Sequence, residues 1–194
     1  GTQNSNGEPV SILKLFGLSG ESASTNEHSG SDGESIRRIA KELDALPDDQ
    51  ALRLATFAYV LGRVAHADSH FSEAETEKMQ DIVQVLGHIP ESQAVLLVEI
   101  AKHQVRLFGG TDNVAVSQRF RQLSTPEQRI ELLECVFAVS AADDSITVVE
   151  EGQARQISSE LGLTHKEFVQ ARSAYVDHLE ALKALRASHS KTEH

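Results

Sequence analysis

Four carboxylates in a repeated pattern are the residues of this 194-residue chain best placed to do chemistry. Asp68 and Glu75 lie in Val64-Ala65-His66-Ala67-Asp68-Ser69-His70-Phe71-Ser72-Glu73-Ala74-Glu75. Asp143 and Glu150 lie in Val139-Ser140-Ala141-Ala142-Asp143-Asp144-Ser145-Ile146-Thr147-Val148-Val149-Glu150, 75 residues further on. In both copies an apolar helix ends at an Ala-Asp turn, Ser or Thr opens the next helix, and Glu follows the Asp by seven residues. Aspartate and glutamate are hard oxygen donors, so Asp68, Glu75, Asp143 and Glu150 form a candidate site for Ca²⁺, Mg²⁺ or Mn²⁺, with Zn²⁺ less suited. His66 and His70 add nitrogen donors in the first copy only, which would favour a transition metal there. Neither turn is an EF-hand, because the Asp-x-Asp-x-Asp-Gly series is missing.

The same residues also serve without an ion. Ser72-Glu73-Ala74-Glu75 and Thr147-Val148-Val149-Glu150 both have the spacing of a capping box, in which Glu returns to the backbone N–H of the cap residue. Asp68 and Asp143 can satisfy turn amides ahead of the helix. Capping and cation binding are compatible, and the sequence leaves both open.

The elements that position these turns read as helices. Leu54, Phe57, Ala58, Leu61, Val64 and Ala65 recur at three and four residues and form one apolar stripe. Met79, Ile82, Val83 and Leu86 form the next, with Gly87 as the residue just past its end. Pro90 opens a helix bearing Ala94, Val98, Ala101, Val105 and Phe108. Gly109-Gly110 breaks it, and a short helix over about Asn113 to Leu123 follows. Thr125-Pro126-Glu127-Gln128 is a helix start with a cap, a proline and a Gln three residues on. Leu132, Leu133, Val136 and Val139 make its stripe. Ala154, Ile157 and Leu161 follow on a helix ended by Gly162, and Thr164-His165-Lys166-Glu167 caps a last helix with Phe168, Ala171, Tyr175, Leu179 and Leu182. Upstream, Ile36, Ile39, Ala40 and Leu43 start the helical pattern at Glu34. No credible strand is present. The expectation is an all-α, single-domain bundle of about eight helices.

The 75-residue offset extends beyond the carboxylates. Val64 matches Val139, Ala67 matches Ala142, Ile82 matches Ile157, and Leu86-Gly87 matches Leu161-Gly162. Two helical repeats are therefore expected, at about 48–108 and 125–187, within a domain spanning 34–187. Residues 1–33 read as a short apolar segment, Val10 to Leu18, followed by a Gly/Ser-rich linker. The segment offers a docking element for a protein partner, a membrane surface or the domain itself. Residues 188–194 read as a disordered tail.

Composition narrows the function classes. The net charge is −11, with 18 Lys and Arg against 29 Asp and Glu, which disfavours nucleic acid as a partner. Cys135 is the single cysteine, so no intrachain disulfide forms, and its apolar helical setting makes it a core thiol. No stretch reaches the roughly 20 apolar residues of a membrane span, and no secretory leader is evident, so a cytoplasmic location is expected. No nucleophile elbow, phosphate loop or His-Glu-x-x-His motif occurs. The remaining histidines, His103 and His178 among them, read as surface or interface residues. Arg119, Arg121 and Arg129 give local basic character on a solvated helix face.

The paired Ala-Asp turns, each followed by Ser or Thr and then Glu, resemble the TerB-like (tellurite-resistance protein B) family. Val60 to Gly87 and Ser124 to Tyr175 carry the likeness, which covers roughly two thirds of the chain with the helices between them. The family pattern usually has Gly after the Asp, where this chain has Ser69 and Asp144. The resemblance implies an all-helical fold, an acidic metal-binding surface and an association with stress and tellurite-resistance systems. It implies no catalytic activity. The functional expectation is a non-enzymatic module that binds divalent cations through its acidic turns. The alternative is a metal-independent interaction scaffold for a protein partner. A metal-assisted hydrolase would need an open coordination position and a substrate-positioning group, and the sequence names none.

Overall fold

The computed structural model of the chain describes residues 30–65, 72–103, 113–141 and 148–191. The described residues form eight helices and no strand. In chain order they are α1 (Gly30–Asp44), α2 (Asp48–Val64), α3 (Glu73–Val85), α4 (Glu91–Lys102), α5 (Asn113–Leu123), α6 (Pro126–Ser140), α7 (Val148–Glu160) and α8 (His165–Ser190). The fold is the expected all-α bundle. Its first helix starts ahead of the Glu34 set by apolar periodicity, and its last runs through Ser190, past the start expected for the tail. The Val10–Leu18 segment, the Gly109-Gly110 break, and Val105 and Phe108 lie outside the described residues.

Helices α2 and α6 are the equivalent elements of the two sequence copies, and they form the centre. Helix α2 packs against α1, α4, α5 and α6, while α6 packs against α2, α3, α7 and α8. From Ala51 to Val64 every residue of α2 is buried except Arg53 and Arg63. A helix apolar on all sides is a core helix, not a surface one with a single stripe. The stripe Leu54, Phe57, Ala58, Leu61 and Val64 is thus only part of what α2 buries. Helix α6 is likewise buried continuously from Leu132 to Ala138. Aromatic rings join the layers: Phe57 meets Phe120 edge-on at 6.0 Å between centroids, and Phe137 contacts Phe168 at 5.4 Å and Tyr175 at 6.3 Å. Tyr59 reaches α5 by donating its hydroxyl to Asn113 Oδ1. Cys135 is fully buried, which pushes its thiol pKa well up, as befits a core thiol.

The capping chemistry matches the sequence pattern. Thr125 Oγ1 accepts from Gln128 N at 3.2 Å while Thr125 N donates to Gln128 Oε1 at 3.0 Å. Thr164 and Glu167 make the same reciprocal pair, at 3.0 and 3.2 Å. These hydrogen bonds hold the Glu167 carboxyl below the usual glutamate range. Pro90 takes the cap position of α4, with the helix beginning at Glu91.

The two aligned glycines end their helices differently. Gly162 has φ +70°, its N–H donates to Ser159 O at 3.0 Å, and Leu163 N–H donates to Ser158 O at 2.9 Å. That is the bond pair of a Schellman ending. After α3 the left-handed residue is His88, with φ 54°, and not Gly87. Gly87 is required for space instead: a Cβ there would sit 2.6 Å from Val83 O and 3.3 Å from both Cys135 Sγ and Phe57 Cζ.

The surroundings of the copies also differ. Helix α3 packs mainly on α4, α6 and α8, whereas its counterpart α7 packs on α5 and α6. A largely buried ion pair ties the copies together. Arg63 near the end of α2 reaches Glu160 at the end of α7 through three N···O contacts of 3.2–3.3 Å. The side chains are only 11% and 7% exposed. The 75-residue offset puts Ala138 and Val85 at the corresponding positions, so the pair has no symmetry mate.

Candidate functional site

Of the four motif carboxylates, Glu75 is the one whose side chain is described. It is the third residue of α3, and Ser72 is the cap. Ser72 N–H donates to Glu75 Oε2 at 2.9 Å, and Glu75 N–H donates to Ser72 Oγ at 3.2 Å. Thr76 Oγ1 adds a bond to Ser72 O at 3.0 Å. The capping box therefore forms, and it engages one oxygen of Glu75. The other oxygen, Oε1, makes no contact in that box and sits on an exposed residue. Asp68, Asp143, His66, His70 and the Thr147 cap lie outside the described residues. Glu150 falls in the first turn of α7, and its side chain lies outside the description. Among the described residues no group of three or more His, Cys, Asp or Glu side chains is arranged to hold a metal ion.

Carboxylates that the sequence reading did not single out occupy a more structured setting on α6. Glu127, Glu131 and Glu134 follow one another at four and three residues along this helix. Glu134 is buried at 5% exposure, and its Oε1 lies 2.6 Å from His178 Nδ1 on α8. Glu131 is half-buried, with Oε1 3.1 Å from His88 Nδ1. Burial pushes both carboxyls above the usual glutamate value, and the facing histidines offset part of that rise. Among the described residues, His88 and His178 are thus partners of acidic groups. An ionisable residue inside the apolar run Leu132-Leu133-Glu134-Cys135-Val136 was the available signal, since glutamate is seldom buried unless paired.

His88 also stands on the rim of a cleft of about 440 Å³ between α2, the α3–α4 turn and α6. Leu54, Phe57, Phe120 and Ile89 supply its apolar lining. Arg53, Glu131, Gln50, Gln93 and Gln128 supply polar groups. Its size falls in the usual range of small-molecule sites, about 300–1,000 Å³. A non-glycine residue with φ 54° costs on the order of 1–3 kcal/mol, and such residues cluster at ligand sites.

The family model described as tellurite resistance protein TerB matches residues 53–173, well over half of the chain. The chain belongs to the TerB family. No curated protein and no solved structure matches it. The TerB match opens at Arg53 in α2 and closes inside α8. It encloses both acidic turns, the Arg63–Glu160 pair and most of the cleft lining. No helix among the described residues is long and apolar enough to cross a membrane.

Proposed function

We propose that this TerB-family chain is a non-enzymatic module of tellurite-resistance and stress responses in the cytoplasm, and that it binds a divalent cation through its two acidic turns. The duplicated motif carries this reading: Asp68, Glu75, Asp143 and Glu150 all fall inside the matched residues 53–173. Hard carboxylate oxygens suit Ca²⁺, Mg²⁺ or Mn²⁺. Asp68 and Asp143 are the principal ligands in this account. Glu75 contributes through Oε1 while Oε2 stays on the Ser72 amide.

A second reading, a metal-independent scaffold for a protein partner, is favoured by that same Ser72–Glu75 box, because it gives one motif carboxylate a purely structural task. Thermal unfolding with each ion separates the two. An ion at about a hundred times its Kd adds about 2.7 kcal/mol to stability. In a chain of this length that is a rise of about 5–10 °C. The cation reading expects the rise in the wild-type chain and its loss in Asp68→Asn/Asp143→Asn. An unchanged melting temperature with every ion at millimolar concentration would leave the scaffold reading.

A further inference from the structure

Two carboxylates of α6 are each held by an imidazole from another element. Buried Glu134 has Oε1 2.6 Å from His178 Nδ1 on α8. Half-buried Glu131, one turn earlier, has Oε1 3.1 Å from His88 Nδ1 in the α3–α4 turn. Among the described residues no Lys or Arg forms an ion pair with either acid. Their paired counter-charges are therefore histidines, the side chain whose charge changes between about pH 5 and 8. A lysine or arginine there would keep its charge across that range. The imidazoles also meet solvent: His88 is 70% exposed and His178 47%, whereas the Glu134 side chain is 7% exposed.

The neighbouring charges set the sign of the response. Glu134 feels His178, His88 and Glu131, while Glu131 feels His88 and Glu127. Cys135 stays neutral because burial pushes its thiol up. From α2, Arg53 lines the cleft beside Glu131 without forming an ion pair to it. From α3, Lys78 and Asp81 form no ion pair with these four side chains. On α7, Glu151 is taken by Arg155 and Arg172, and Glu160 by Arg63. On α8, Asp177, Glu180 and Lys183 are exposed. Below the raised carboxyl values of Glu131 and Glu134 the pairs are neutral-acid hydrogen bonds. Above them, within the histidine range, each pair is an imidazolium on a carboxylate. Past that range Glu127, Glu131 and Glu134 keep their negative charges and both positive ones are gone, with Glu134 charged in a buried place.

The pairs hold elements that have little else to hold them. Phe168 and Tyr175 fix the first part of α8 through Phe137, whatever the charge on His178. From Val176 on, the described side chains are exposed except half-buried Leu179 and Leu185. A segment with so few buried contacts opens locally at low cost. We propose that the His178–Glu134 and His88–Glu131 pairs form a pH-sensitive clasp, which holds the outer part of α8 and the α3–α4 turn on α6 in weak acid and loosens as the imidazoles lose their charge. His88 and Glu131 both line the cleft, so the same titration loosens one of its walls. The clasp uses none of the four motif carboxylates and does not depend on a bound cation.

Amide exchange of the whole chain, followed by NMR at about pH 6 and about pH 8 and corrected for the intrinsic pH dependence of exchange, tests this. Ile89 N–H, which donates to Val83 O at 3.1 Å, reports on the turn, and amides 179–188 report on α8. Protection at both places is expected to fall at least about threefold from the lower to the higher pH, with amides 55–62 of α2 unchanged. His178→Gln should remove the fall at 179–188 and leave it at Ile89. His88→Asn should do the reverse, and Asn tolerates the φ of 54° at that position. Glu134→Gln should remove the response of α8 as His178→Gln does. Absence of the fall at 179–188 or at Ile89 in the wild-type chain overturns the proposal. So does an equal fall at amides 55–62, or a fall that survives in the matching histidine variant.

Discussion

Removing Arg63 probes how the two sequence copies are locked together. Arg63→Met keeps most of the stem and removes the guanidinium, which leaves Glu160 at 7% exposure with no cation. An uncompensated buried charge of this kind costs about 3–5 kcal/mol. The 11% exposure of Arg63 admits some water, so the lower half of that range, about 3 kcal/mol, applies. For a chain of this length that corresponds to a fall of roughly 6–12 °C in melting temperature. Adding Glu160→Leu should restore most of the loss, because a well-packed apolar pair often matches or exceeds a buried ion pair. Urea unfolding of wild type, both single variants and the double variant closes the cycle. A coupling energy above about 1.5 kcal/mol is expected. A single-variant cost below about 1 kcal/mol with no coupling would mean that the pair behaves like an exposed one, and the reasoning would fail.

Three further outcomes follow from local geometry. Gly87→Ala forces a Cβ to 2.6 Å from Val83 O and should cost about 1–3 kcal/mol by overpacking, read from chemical unfolding. Ser72→Ala should cost about 1 kcal/mol by opening the α3 cap, whereas Glu75→Gln should stay within about 0.5 kcal/mol of wild type. The reason is that Gln128 already fills the same role at Thr125, so a larger loss for Glu75→Gln would break the capping account. Burial raises Glu134 above 4.5, so its carboxyl is neutral at no cost below the unfolded pKa and is penalised once pH rises through the folded one. Wild-type stability relative to Glu134→Gln should therefore fall as pH climbs through and above the ordinary carboxylate range, and a flat difference would contradict the assignment.

The helices were legible because their apolar spacing and caps are local. Thr125-Pro126-Glu127-Gln128 and Thr164-His165-Lys166-Glu167 specify their boxes within four residues, and both form. Asn113–Leu123 matches its expected span. Helix ends were harder. Gly87 and Gly162 look alike in sequence, yet one supplies room and the other supplies φ +70°. That difference depends on Cys135 and Phe57, which approach Gly87 from α6 and α2. Of the expected site, the capping half is visible in Ser72 and Glu75. The sequence could not show that Arg63 and Glu160, 97 residues apart, would meet, or that His88 would face Glu131. Those pairings depend on how helices pack and not on spacing along the chain. Arg53 and Glu134 did carry a signal, as charges within apolar runs, but a signal without a named partner.

The central claim is a divalent cation held by the aspartate turns, and calorimetric titration with Mn²⁺ tests it most directly. The account predicts saturable binding to the wild-type chain and none to folded Asp68→Asn/Asp143→Asn. It also predicts retained, weakened binding in Glu75→Gln, which keeps the cap and loses one ligand charge. No heat of binding to the wild-type chain at millimolar Mn²⁺, or equal binding in Asp68→Asn/Asp143→Asn, would contradict it.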